Sequence, residues 1–120
     1  MVFSRGVRGA ITLNSNTKEE IQNATVELLN EMLKQNEINK EDIAFAIFTL
    51  TTDLNADFPA KYARIDCGFN QVPMMCYHEL DVENSLKMCL RILLNINTNK
   101  MQNEIRHIYL KGAKILRQDI

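Results

Sequence analysis

Cys89-Leu90-Arg91-Ile92-Leu93-Leu94-Asn95-Ile96-Asn97 is the stretch on which the fold turns. Leu90, Ile92, Leu94 and Ile96 fall on one side; Cys89, Arg91, Leu93, Asn95 and Asn97 fall on the other. Leu86 to Leu94 would also pass for helix, but the period of two through Asn97 favours a β-strand. Downstream, Ile105 to Leu110 alternates again, with Ile108 and Leu110 opposite His107 and Tyr109, and Ala113 to Arg117 either extends that strand or pairs nearby. Upstream, Gln71 to Met75 reads as a short strand and His78 to Ser85 as irregular or a single helical turn. Ile43 to Thr51 is rich in Ile, Phe and Thr and carries no charge, as a central buried strand would. Val2 to Leu13 places Phe3, Val7, Ile11 and Leu13 on one face and Gly6, Arg8, Ala10 and Thr12 on the other.

Two helices separate these strands. Thr17-Lys18-Glu19-Glu20 is a capping box. The stripe Ile21, Ala24, Leu28 and Met32, flanked by Val26, Leu29 and Leu33, carries the helix to about Asn36. Asn39 to Asp42 is a polar turn. A second helix starts near Phe58, where Pro59 sits at an early position that needs no N–H, and Gly68 ends it. The order β-α-β-α-β-β-β predicts an α+β fold, a mixed β-sheet with two helices packed on one face, in a single domain over residues 1–120.

Composition narrows the function. The chain has 120 residues with 14 Lys+Arg against 15 Asp+Glu, a net charge of −1 that offers no bulk field for nucleic acid or anionic lipid. An anionic partner must therefore meet a local cluster of cations. The longest apolar run, Ile43 to Phe48, is far short of the ~20 residues of a membrane span. The N-terminus carries two arginines and no apolar core of a secretory signal. Cys67, Cys76 and Cys89 lie at no metal-binding spacing and read as reduced thiols of a cytoplasmic protein.

Alternation puts Arg8, Arg91 and Tyr109 on the less apolar faces of their strands. If the helices cover the apolar face, these three share the other side of the sheet, a half-polar surface for which the chain has no further cover. Self-association through that face, with ligand clefts between copies, is the economical solution. Guanidinium forks match carboxylates, so a small carboxylate ligand suits the cluster. An arginine on a strand face is nonetheless more often a solvated or salt-bridged surface residue. Arg5, on the side of Phe3 and Val7, reads as structural, and Asp53, Asp57 and the pair His78-Glu79 as ordinary solvated groups. No nucleophile elbow, zinc motif or phosphate loop occurs, so covalent or metal catalysis has no support.

The segments RGVRGAIT (Arg5–Thr12), DLNADFPAKYAR (Asp53–Arg64), VPMMCYHELDV (Val72–Val82), LKMCLRILL (Leu86–Leu94) and IRHIYL (Ile105–Leu110) together resemble the AroH-type monofunctional chorismate mutases. The resemblance implies a homotrimer with a pseudo-α/β-barrel core and active sites at subunit interfaces. It implies conversion of chorismate to prephenate on the route to phenylalanine and tyrosine, without cofactor or metal. By that resemblance Arg91 donates to the breaking ether oxygen and holds a carboxylate, and Arg8 and Tyr109 fix a carboxylate and the substrate's orientation. Glu79 and Cys76 engage the ring hydroxyl. Phe58, Ala60, Met74 and Leu116 form apolar walls, and Lys61, Arg64 and Arg117 lie at the mouth. Met75 replaces a threonine common in the family, and the chain stops at Ile120 where relatives continue in a polar tail. Two other readings stand beside this one: a non-catalytic trimer that binds a small carboxylate as a regulator, and a Rid-type imine deaminase. The latter shares an interface arginine but not the FPAK and CxxELDV segments.

Overall fold

A computed structural model describes residues 1–117, Arg117 by its backbone alone. Strand β1 (Phe3–Thr12) leads into helix α1 (Lys18–Gln35), then β2 (Ile43–Leu50), α2 (Pro59–Cys67), β3 (Met74–His78), β4 (Cys89–Thr98) and β5 (Ile108–Leu110). Short 3-10 helices occupy Lys40–Asp42, Gln102–Glu104 and Lys111–Arg117. The strands form one mixed sheet in the order β3-β2-β4-β1-β5. The stretch 89–97 is thus the sheet's middle strand, antiparallel to both neighbours, while β2/β3 and β1/β5 pair in parallel.

Local chemistry sets the helix ends. Thr17, in extended backbone, accepts the Glu20 N–H on its hydroxyl at 3.1 Å. The expected reciprocal bond is redirected: the Glu20 carboxylate accepts the N–H of Asn14 instead. Gly68 closes α2 at φ 73°, a left-handed conformation that a side chain would strain.

Both helices cover one face of the sheet. Val7, Ile11, Phe48, Leu90, Ile92 and Leu94 pack there against Ile21, Leu28, Leu29 and Met32 of α1 and Tyr62 and Ala63 of α2. Helix α1 crosses β1 so closely at Gly9 that a Cβ there would lie 2.4 Å from the Met32 sulfur. Among the described residues no helix is long and apolar enough to cross a membrane.

Three boundaries differ from the sequence reading. The third strand is Met74–His78: it starts later, because Pro73 has no N–H for the ladder and only its carbonyl accepts the Ala46 N–H at 3.0 Å, and it ends later, pairing with β2 as far as His78 opposite Leu50. The last strand is shorter than Ile105 to Leu110 because side chains replace its ladder. Asn36 accepts the Arg106 N–H and donates to the Arg106 carbonyl, and His107 Nδ1 accepts the Arg8 N–H. Residues 113–117 are not a strand: Lys111 at φ 54° breaks the extended backbone and a 3-10 helix follows.

The second sheet face carries Arg8, Ala10 and Thr12 of β1, Arg91, Leu93 and Asn95 of β4, Ile47 and Thr49 of β2, Met75 and Tyr77 of β3, and Tyr109 of β5. It is more apolar than alternation alone suggests. Phe45, Leu93, Met75 and Tyr77 are exposed on it, and neither α1 nor α2 covers them.

Candidate active site

Strand register gathers the first group of candidate residues. Arg91 lies opposite Ala10 of β1 on one side and Thr49 of β2 on the other, and Tyr109 lies beside Ala10. Arg8 stands opposite Leu93. Glu79 joins them from the turn after β3, where its N–H donates to the Leu50 carbonyl at 2.8 Å. Together they line a hollow of about 200 Å³ floored by Ile47, Leu93 and the backbone of Gly9. A hollow with two guanidiniums, a phenol and one carboxylate over an apolar floor suits a small anion with an apolar body.

Within it, Arg91 Nε stands 3.4 Å from Glu79 Oε2, and the Thr49 hydroxyl donates to the same oxygen. The Arg91 Nε is buried and makes no in-line hydrogen bond. Cys89, on the Arg91 face, is fully buried; burial pushes its thiol up and keeps it neutral. It packs with Ala10 and Ala113, and Leu86, Tyr109 and Leu116 lie against them, so Leu116 belongs with this first group.

The remaining candidates assemble elsewhere. Phe58, Ala60 and Lys61 at the start of α2 and Arg64 in its last turn join Met74, Met75 and Cys76 of β3, the edge strand, around a hollow of about 410 Å³. The two hollows share no lining residue. Cys76 therefore sits with Phe58 and not with Glu79; burial raises its thiol, and the Ala60 backbone pulls it partly back. Where a threonine was expected, the Met75 sulfur accepts the Tyr77 hydroxyl at 3.1 Å. The side chain of Arg117 and the end of the chain lie outside the described residues.

Asp57, read as solvated, anchors this second group. Its carboxylate accepts from the Tyr62 hydroxyl, the Phe58 N–H and Lys61, which hold its pKa at about 2. The depressed pKa stabilises the fold above about pH 4, and that contribution is lost as pH falls through about 2. Denaturant midpoints measured between those limits should accordingly fall more steeply for the parent than for Asp57→Asn. Asp53 is also engaged: it accepts the Met88 N–H and the Thr51 hydroxyl, fixing the entry to β4. Arg5 is structural as expected, donating to the Lys100 carbonyl and Gln102 and stacking on Phe3 at 4.5 Å.

A family model described as chorismate mutase type I matches residues 4–120. The chain belongs to the type I chorismate mutase family. The chorismate mutase AroH of Bacillus subtilis is 40% identical over 116 residues, spanning 97% of this chain and 91% of that one. AroH of Thermus thermophilus is 44% identical over 117 residues, spanning 97% and 95%. A solved chorismate mutase from Clostridium thermocellum superposes with a TM-score of 0.89 at 44% identity, covering 92% of this chain and 97% of that structure. The resemblance in the five segments and the expected α+β fold are borne out together.

Within this chorismate mutase family framework, Thr49, Ile47 and Leu93 line the first hollow although the sequence singled out none of them. Their signal was available in principle. Thr49 is the hydroxyl-bearing position of an otherwise apolar strand, but its register against Arg91 emerges only from the folded sheet.

Proposed function

We propose that this chain rearranges chorismate to prephenate, at sites completed between copies of a cytoplasmic homotrimer, without cofactor or metal. The observation that carries the reading is the convergence of Arg8, Glu79, Arg91 and Tyr109 on one hollow of a sheet face that neither helix covers. The second group, at the β3 edge, supports completion by a neighbour: it supplies the apolar walls and further cations that the first hollow lacks. The exposed Phe45, Leu93, Met75 and Tyr77 give a subunit interface its apolar contacts. The three free cysteines, two of them buried, suit a reducing compartment.

Chorismate is a dicarboxylate, and its rearrangement is pericyclic: an ether C–O bond breaks as a C–C bond forms. The site must hold the side chain over the ring in a reactive chair and oppose the charges that develop. Arg91 donates to the ether oxygen as it gains negative charge. Glu79 faces the ring, which gains positive charge, and takes its hydroxyl. Arg8 and Tyr109 hold a carboxylate. From the adjacent copy, Phe58, Ala60 and Met74 wall the ring, Cys76 lies near its hydroxyl, and Lys61 and Arg64 attract the dianion. Leu116 closes the wall on the first side, and Arg117 is assigned to the mouth.

No proton is transferred in this chemistry. Loss of chorismate absorbance, followed with the purified protein, should therefore show turnover whose rate is nearly flat from about pH 6 to 9. A bell-shaped profile centred near neutrality contradicts the reading. Tight ligand binding without turnover favours the carboxylate-binding regulator, and hydrolysis of an imine favours the Rid-type alternative.

A further inference from the structure

We propose that Thr49 is a positioning residue that keeps Glu79 from closing onto Arg91, and so leaves the Arg91 guanidinium available to substrate. This inference rests on the reading of Arg91 and Glu79 given above. Thr49 and Arg91 are register partners on adjacent strands, and both point to the uncovered face. Glu79 reaches them from the turn after β3, with its backbone N–H tied to the Leu50 carbonyl.

One carboxylate oxygen, Oε2, is claimed twice. The Thr49 hydroxyl donates to it, and Arg91 Nε faces it at 3.4 Å without an in-line hydrogen bond. An Arg–carboxylate pair left to itself settles into a short, often bidentate, geometry. Here the hydroxyl fixes the Glu79 rotamer and stops the carboxylate short of that arrangement. The 3.4 Å separation, longer than the roughly 2.7–2.9 Å of a charge-assisted hydrogen bond, is the mark of this restraint. Thr49 thereby holds the negative charge beside Arg91 without letting it consume the donors that the ether oxygen needs.

The isosteric Thr49→Val removes the hydroxyl and keeps the shape. It should lower kcat at least about tenfold, the rate equivalent of a charge-assisted hydrogen bond, while KM changes less than about threefold. Thr49→Ser should recover most of the turnover. In a Glu79→Ala background, Thr49→Val should cost nothing further, since there is no carboxylate left to restrain. Parent-like turnover by Thr49→Val overturns the proposal, as does an equal loss in both backgrounds, which would mark mere destabilisation of β2. A parent protein without turnover overturns the reading of the site itself, and this inference with it.

Discussion

Arg91→Ala should lower kcat by about 10²-fold or more, on the order of 3 kcal/mol of barrier stabilisation, as for removal of a donor aimed at developing negative charge. The structure explains why the loss should fall on the chemical step. Arg91 is fixed on the middle strand of the sheet, between Ala10 and Thr49, above the buried Cys89. In the proposed rearrangement that fixed position costs no reorganisation as charge moves to the ether oxygen. In the proposed site Arg8 and Tyr109 still hold a carboxylate, so KM should change less than kcat. The fold itself should survive, because Arg91 contributes one loose ion pair at 3.4 Å and its side chain is 35% exposed. Stopped-flow or steady-state absorbance gives kcat and KM, and circular dichroism checks the fold. Near-parent turnover by Arg91→Ala contradicts the mechanism.

Strands β1 and β4 were legible in the sequence because they alternate, and β2 because it is an uncharged apolar run. The period of two in 89–97 placed Leu90, Ile92 and Leu94 inside and Arg91 outside, and the structure agrees. Helix α1 was legible from its Thr17 cap and its stripe. What failed was local and had tertiary causes. Residues 105–107 look like strand, but Asn36, about seventy positions away, satisfies the Arg106 backbone in place of the ladder. Asp57 looks solvated, but Lys61 and Tyr62, in the first turn of α2, close over it. Alternation could bring Arg8, Arg91 and Tyr109 to one face, whereas the roles of Phe58, Ala60 and Cys76 rested on resemblance alone. Thr49 stands out only in the folded sheet, because its importance lies in pairing with Arg91 on the adjacent strand, and no spacing along the sequence encodes that register.

The central claim is that neither hollow is a complete site and that the two combine across copies. Two variants isolate the halves. Arg91→Ala disables the first hollow. Phe58→Glu, at a side chain 69% exposed at the start of α2, sets a carboxylate in the second, where the dicarboxylate would meet it. Each variant alone should be nearly inactive. When equal amounts are unfolded together and refolded, random assembly pairs an intact first half with an intact second half at about a quarter of the interfaces. The mixture should therefore recover about a quarter of the parent turnover, with the parent refolded in parallel as the reference. Activity no greater than the average of the two variants, from a mixture shown to contain both chains in one oligomer, would contradict a site shared between subunits.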